Sequence, residues 1–510
     1  MEYNLSKHSV GCCNRFLDTV NEQIVDVDIT LPDYCPDIEK ILKCTLDSHV
    51  YTKNISGGQL TVDGVSVVRI LYCDSIRHNV RSFVQSVPFT SSFSLKSTPE
   101  QYIIEVDTKC EYINCRALSP RKLVVHGAFS LYTKIFCKSN TEYYSYDEES
   151  DLQTKVREIK VSDLCAICEE QFSVTEDITI SNQSPVESML KYDVTSRITD
   201  LKNIHNKVML NAELVLKVLY LSDLESGKVE HLSYVIPVSR VIDCDGVTDD
   251  TINTVKLEVM SSDLRVRNDS LNDGSLLSLD VKMCFSEIGY AQKSLNIIED
   301  VYSTKYITEE KRSAQNALFD HRCADYTHIV KSSIKLDSMK ISKVIDIFTE
   351  NVTVSPVISK KSLSFIGKTN VCMMLEDSDG SINYLERSVD VEFKPEIDVE
   401  FDRVAMNSCV VQGVSFRLVD DYNIEVRIEL RISAVLSKMM SVTPITFVSS
   451  SEETKLKNDG SSLILYYADK GESLWDISKM YRMKKSVLMN ENSLKDSELS
   501  EDRMLLVVTE

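Results

Sequence analysis

Ile424-Glu425-Val426-Arg427-Ile428-Glu429-Leu430-Arg431-Ile432 alternates apolar and charged side chains without a break. Successive side chains of a strand point to opposite faces. Ile424, Val426, Ile428, Leu430 and Ile432 therefore share one face, and Glu425, Arg427, Glu429 and Arg431 the other. One dry and one wet face is the pattern of an antiparallel sheet, because parallel sheets are usually covered on both sides. Two earlier segments read the same way. Leu277, Leu279, Val281, Met283 and Phe285 alternate with Ser278, Asp280, Lys282 and Cys284, and Leu123, Val125, Phe129 and Leu131 share a face.

Each of these strands is preceded by the same grammar. Val67-Val68-Arg69-Ile70-Leu71-Tyr72, Val215-Leu216-Lys217-Val218-Leu219-Tyr220 and Asn370-Val371-Cys372-Met373-Met374-Leu375 are each followed by a polar turn. A second apolar run comes next: Val84 to Phe89, Tyr234 to Val238, Val389 to Phe393. Turn residues between β-rich runs predict hairpins. The openings also correspond, with Pro36 to Leu42 matching Pro185 to Leu190 and a remnant at Val344 to Ile347. The period of about 150 residues suits a duplicated domain rather than a solenoid unit. The fold class predicted is mainly β: three tandem antiparallel sandwich or barrel-like domains over 1–150, 151–310 and 311–450. Tyr143 to Ser162 and Thr308 to Ser313 read as polar connections, and 451–462 as a linker.

Residues 463–510 read as a separate small unit. Leu463 to Ala468 is a short strand, and Asp469-Lys470-Gly471-Glu472 a tight turn. Ser473 is placed to N-cap a helix, with Asp476 three positions on to return the bond. Leu474, Ile477 and Tyr481 fall on one helical face. A second helix carries Met483, Val487 and Leu488, and Met504 to Val508 is the closing strand. Trp475, the only tryptophan, lies off the apolar stripe; it is either buried under the sheet or exposed at a partner interface.

The chain has 510 residues, 43% hydrophobic and 26% charged, with a formal net charge of −21. That charge repels nucleic-acid phosphates. The sequence has no run of about 18 or more apolar residues, the length a membrane-spanning helix needs, and the start at Met1 lacks the pattern of a signal peptide. The 15 cysteines read as buried or free thiols of a reducing compartment rather than a disulfide frame. Cys165-Ala166-Ile167-Cys168 has no second pair to complete a zinc set. Cys110 and Cys115 are near enough to meet across a turn. His321, Cys323 and His328 fit no metal-ligand spacing. Ser56-Gly57-Gly58 and Gly367-Lys368-Thr369 each lack part of a phosphate-binding loop and read as turns. No nucleophile, base and orienting group come together, so neither an enzyme, a cofactor nor a metal is expected.

Tyr467, Gly471-Glu472-Ser473-Leu474, Ile477, Leu488 and Asn492 resemble the LysM pattern. Lys484 stands where that family often has Ser or Thr, and Glu501-Asp502-Arg503 and Thr509 replace its framing Gly and Pro. Leu31-Pro32-Asp33-Tyr34-Cys35-Pro36-Asp37-Ile38-Glu39-Lys40-Ile41-Leu42 is similar to the opening of the SPOCS domain. Three SPOCS copies and one LysM module resemble the SipL-type family of spore-forming clostridia. The resemblance implies a scaffold at the forespore surface in the mother-cell cytoplasm, its LysM module binding the coat-basement ATPase SpoIVA. The alternative it implies is an N-acetylglucosamine-containing glycan of cortex or wall. Either ligand is expected in a groove between Gly471, Glu472, Ser473, Leu474 and Trp475 on one side and Asn490, Asn492 and Leu494 on the other.

Overall fold

A computed structural model describes residues 2–146, 150–180, 185–268, 275–336, 339–359, 362–455, 463–494 and 499–508. The first unit contains β1 (Ser6–Thr30), β2 (Ile38–Ser56), β3 (Gln59–Asp74), β4 (Val80–Ser94), β5 (Tyr102–Ser119) and β6 (Lys122–Ser145). β3 is the centre of one three-stranded antiparallel sheet, β2-β3-β4, and β6 the centre of another, β1-β6-β5. The inner faces meet: Val68, Ile70 and Tyr72 of β3 pack with Leu123, Val125, Phe129 and Leu131 of β6. This is a sandwich, with the alternating strand supplying half of the core.

The second unit repeats that plan with β7 (Leu152–Ile180), β8 (Ser188–Ile204), β9 (Lys207–Asp223), β10 (Lys228–Asp243), β11 (Ile252–Asn268) and β12 (Ser275–Ser303). Its sheets are β8-β9-β10 and β7-β12-β11. After β13 (Tyr306–Arg312), the third unit follows with β14 (Gln315–Lys335), β15 (Ile341–Ser359), β16 (Ser362–Asp377), β17 (Ile382–Phe393), β18 (Arg403–Asp420) and β19 (Asn423–Val442). Its sheets are β15-β16-β17 and β14-β19-β18. In all three units the first strand pairs with the last. Ile424, Val426, Ile428, Leu430 and Ile432 are completely buried, as the alternation predicts.

The polar connections are strands. Tyr143 to Ser145 closes β6, and Leu152 to Ser162 begins β7. Thr308 to Arg312 lies in β13, which pairs with β20 (Ile445–Lys455) and so joins the third unit. β20 also takes 451–455 out of the expected linker, and the rest of that linker, 456–462, lies outside the described residues. Charged residues obscured these segments, yet backbone pairing asks nothing of a side chain that faces water. Gly57 and Gly58 form a turn with positive φ, whereas Gly367 lies inside β16, where its missing Cβ lets the backbone pass Thr353.

The units do not follow one another as a string. They converge. In the central strands, alternating burial gives way to continuous burial at Ile70-Leu71-Tyr72-Cys73, Val218-Leu219-Tyr220-Leu221 and Val371 to Leu375. The outward-facing members Leu71, Leu219 and Met374 meet in one apolar junction. Leu42, Leu190 and Ile345 join them. Each of these is the extra residue at a register shift in β2, β8 or β15; a bulge re-aims a side chain in this way. A second junction gathers Val10 and Tyr143, then Ile159, Val161, Leu295 and Ile297, then Ala317 and Val442. A third holds Tyr3, Tyr146, Leu152, Ile298, Val301, Ile445 and Val448. There the Tyr3 amide donates to the Val448 carbonyl at 3.1 Å, bringing the start of the chain to the last unit. Ion pairs rim the contacts: Lys53 with Glu169 at 3.0 Å, Lys256 with Asp107 at 2.7 Å, Lys43 with Glu350 at 3.1 Å.

The cysteine expectation needs one correction. Cys168 and Cys244 are disulfide-bonded across 5.6 Å between Cα atoms, while the other thirteen cysteines are free. The partners come from β7 and from the turn after β10, on facing sheets, so chain spacing held no clue. Cys110 and Cys115 lie along one strand, β5, and Cys115 hydrogen-bonds with Cys44 instead. His321 and His328 are not brought together. His328 stacks on Phe393 with centroids 4.7 Å apart, and His321 is buried between the second and third units, against Tyr290 and 3.1 Å from the Thr254 hydroxyl.

Two predictions follow from the junctions. Leu190→Ala removes a side chain with no exposed area and should cost about 2–5 kcal/mol, read as a lowered urea midpoint. Ile76→Ala, at an exposed position, should change it by less than about 0.5 kcal/mol. Burial lowers the His321 imidazole from 6.5 to about 4, so it is neutral in the fold. The unfolded chain then binds the extra proton, and stability present above 6.5 is lost as pH falls towards 4. His321→Gln should flatten the dependence of the midpoint on pH within that window.

Candidate functional site

The C-terminal module consists of β21 (Leu463–Ala468), α1 (Leu474–Met480), α2 (Lys485–Glu491) and β22 (Arg503–Val508), with β21 and β22 antiparallel. The order strand–helix–helix–strand is the expected one. Its core is Ala468, Leu474, Ile477, Met483, Leu488, Leu499, Leu505 and Val507, with Tyr481 packed at its margin.

Several of the residues expected to line a groove serve this core and its turns. Leu474 is completely buried. Gly471 adopts φ +88°, a conformation an L side chain resists, and its amide donates to the Leu499 carbonyl at 2.8 Å. The Glu472 carboxylate accepts from the Tyr466 hydroxyl at 2.9 Å and from the Asp469 amide at 3.0 Å, closing the turn. The Ser473 hydroxyl caps α1 by accepting from the Trp475 amide at 3.2 Å, while Asp476, expected to return a bond, is exposed. Lys484 begins α2 with no side-chain cap. Asn492 is a staple. Its side-chain amide donates to the Leu488 and Leu506 carbonyls at 2.9 and 2.8 Å and accepts from the Leu506 amide at 2.7 Å, binding the end of α2 to β22. Leu494 packs against the core, and Asn490 is exposed.

Trp475 fits neither sequence reading. It is 6% exposed, yet its cover comes from the second sandwich rather than the module's own sheet. The ring meets Tyr302 edge-on, 4.9 Å between centroids, and the indole nitrogen donates to Asp300 at 2.8 Å. The Lys479 ammonium reaches the other oxygen of Asp300 at 2.5 Å. Tyr302, fully buried at the end of β12, donates to the Met483 carbonyl at 2.8 Å. Burial pushes the Asp300 carboxyl up, but the bonds from Lys479 and Trp475 outweigh it and hold the carboxyl below its ordinary range. One carboxylate thus receives one proton donor from each of two successive turns of α1. The module is seated on the end of the longest ladder in the body, β7 with β12.

What the seat leaves open is the outer face of the small sheet. Leu465 and Tyr467 are 66% and 63% exposed, and Leu463 and Met504 are similarly open. In register, Leu463 faces Val508, Leu465 faces Leu506, and Tyr467 faces Met504. An antiparallel pair with both faces apolar has a second surface to cover. Sequence reading passed over this patch, although Leu463-Ile464-Leu465-Tyr466-Tyr467 breaks the alternation a half-wet strand should keep.

Among the described thiols, the hydrogen bond from Cys44 holds Cys115 below its ordinary range, while burial pushes others up. Burial lifts Cys13 and Cys110 to about 11 and Cys284 to about 12, away from the thiolate form that nucleophilic chemistry needs. Among the described residues, no helix is long and apolar enough to cross a membrane.

A family model described as the SPOCS domain of SipL matches the chain twice, at residues 37–118 and 185–267. The matches cover β2 to β5 in the first unit and β8 to β11 in the second, except the end of each last strand. No curated protein and no solved structure matches the chain. The chain carries SipL-type SPOCS domains, and with them a sporulation-related role.

The seat makes a measurable claim. Asp300→Ala removes the two bonds by which a half-buried carboxylate holds α1, each worth about 1.5–3 kcal/mol when charge-assisted. Because Trp475 is the only indole, its emission should shift to the red as the module lifts away, while far-ultraviolet circular dichroism stays unchanged. An unshifted emission would mean that Asp300 does not hold the module.

Proposed function

We propose that the chain is a non-enzymatic scaffold of the endospore coat, with the C-terminal LysM-like module as its adaptor. The three sandwiches form one body, and the module holds its sheet outward from the end of that body. Its partner is a coat morphogenetic protein, the SpoIVA-type ATPase that the family resemblance implies, engaged at the forespore surface. The observation that carries this reading is the apolar outer sheet face formed by Leu463, Leu465, Tyr467 and Met504. Contiguous exposed apolar area suits a protein surface better than a sugar, whose hydroxyls ask for convergent polar groups. Of the polar side chains expected in a glycan groove, Glu472, Ser473 and Asn492 are already hydrogen-bonded within the module, which leaves the exposed Asn490. Tethering the module to a large body lets a weak contact act at high effective concentration.

The test uses the full chain with purified SpoIVA-type ATPase in solution. Leu465→Asp combined with Tyr467→Asp should weaken binding at least about tenfold and leave Trp475 emission unchanged, since the seat is on the other side of the module. Binding that survives the double substitution rejects the sheet face. Saturable heat on titrating chitin oligomers, with none for the ATPase, favours the glycan reading.

A further inference from the structure

Glu287 is the least explained side chain in the body. It has no exposed area, and among the described residues neither carboxylate oxygen has a hydrogen-bond partner. A buried carboxylate without a partner is costly, and such groups in native structures call for an explanation such as an ion. Its surroundings supply the rest of a ligand set. Glu287 on β12 faces Cys168 on β7 in register. Cys244, also fully buried, comes from the turn after β10, which is anchored by its amide on the Asn206 carbonyl at 3.0 Å. Both sulfurs and a Glu287 oxygen lie within 4.8 Å of one another.

A second trio of the same kind shows what is missing. Glu350, Cys372 and Glu386 also lie within 4.8 Å of one another, but there the Lys43 ammonium is 3.1 Å from Glu350 and pairs with Glu386 as well. That trio already holds a cation. Among the described residues, no side-chain cation pairs with Glu287 of the first.

We infer that, with Cys168 and Cys244 reduced, the second sandwich binds a zinc-type divalent cation through Cys168, Cys244 and Glu287. Two thiolates and a carboxylate carry three negative charges, and two sulfurs with one oxygen suit a soft-to-borderline tetrahedral ion with water in the fourth place. The disulfide closes the site. A phosphine reopens it, two electrons passing to the sulfurs while the phosphine takes oxygen from water and leaves as its oxide. Metal entry then displaces the two thiol protons to solvent. The cation would join the two sheets of the sandwich at the same point as the disulfide, so either state cross-links them.

The experiment takes the full chain, reduced with a phosphine, freed of reductant without oxygen, and titrated with cobalt(II). One equivalent should bring up thiolate-to-cobalt charge transfer in the near ultraviolet and tetrahedral d–d bands, and zinc should abolish both. Cys244→Ser should remove these bands, and Cys372→Ser, at a free thiol of the other trio, should keep them. Glu287→Gln retains both sulfurs and nearly the same shape, so it should bind cobalt at least about tenfold more weakly. Because Cys244→Ser removes a core thiol, its fold is checked by circular dichroism, and Glu287→Gln decides if that variant fails to fold. The same bands and affinity in Glu287→Gln as in the native chain, or no metal uptake at all, overturns the inference.

Discussion

Three equivalent side chains, Leu71, Leu219 and Met374, stand on the outer faces of three equivalent central strands and meet in one apolar junction. The rest of the architecture depends on that contact. A sandwich buries one face of each sheet and leaves the other for water; here the ends of β3, β9 and β16 are apolar on both faces, and only a neighbour can dry the second one. Leu42, Leu190 and Ile345 are delivered to the same place by register shifts at matching positions in β2, β8 and β15. The duplication therefore carried both a fold and an instruction for assembling it.

The junctions in turn create the platform for the C-terminal module. The outer strands run on beyond the sandwich cores, and Tyr143, Leu295 and Val442 pack together there before Ile298 and Val301 meet Ile445 and Val448. Asp300 and Tyr302 lie at this far end of β12 and receive α1. The helix face that a free module would show to a partner is spent on the body, and the sheet face is presented instead.

Much of this was legible in the chain. Period-two alternation located β6, β12 and β19, and the hairpin grammar located the strands of the other sheet, because one buried and one wet face leaves a mark on every second residue. The edge strands of the other sheets, β1, β7 and β14 on one side and β5, β11 and β18 on the other, were hidden, since a strand at a sheet edge with mixed polarity has no period to read. The assembly was written in the four-residue apolar runs such as Ile70-Leu71-Tyr72-Cys73, which alternation alone cannot explain. In the module, the turn at Gly471 and the cap at Ser473 were readable from local chemistry. The seat of Trp475 was not, because Asp300 and Tyr302 are remote in the chain and nothing local marks them as its partners. The disulfide was missed for the same reason: its cysteines lie on facing sheets.

The contact between Tyr3 and Val448 has a further meaning. It brings the first unit against the third, so each unit touches both of the others and the arrangement closes as a ring. Ring closure sets the number of units: a fourth would find no bare apolar end to cover, and two would leave theirs wet. A homotrimer uses the same rotational logic with three separate subunits. Here a single polypeptide holds all three places, so their number cannot vary with concentration, and a single tail can be mounted on one unit alone.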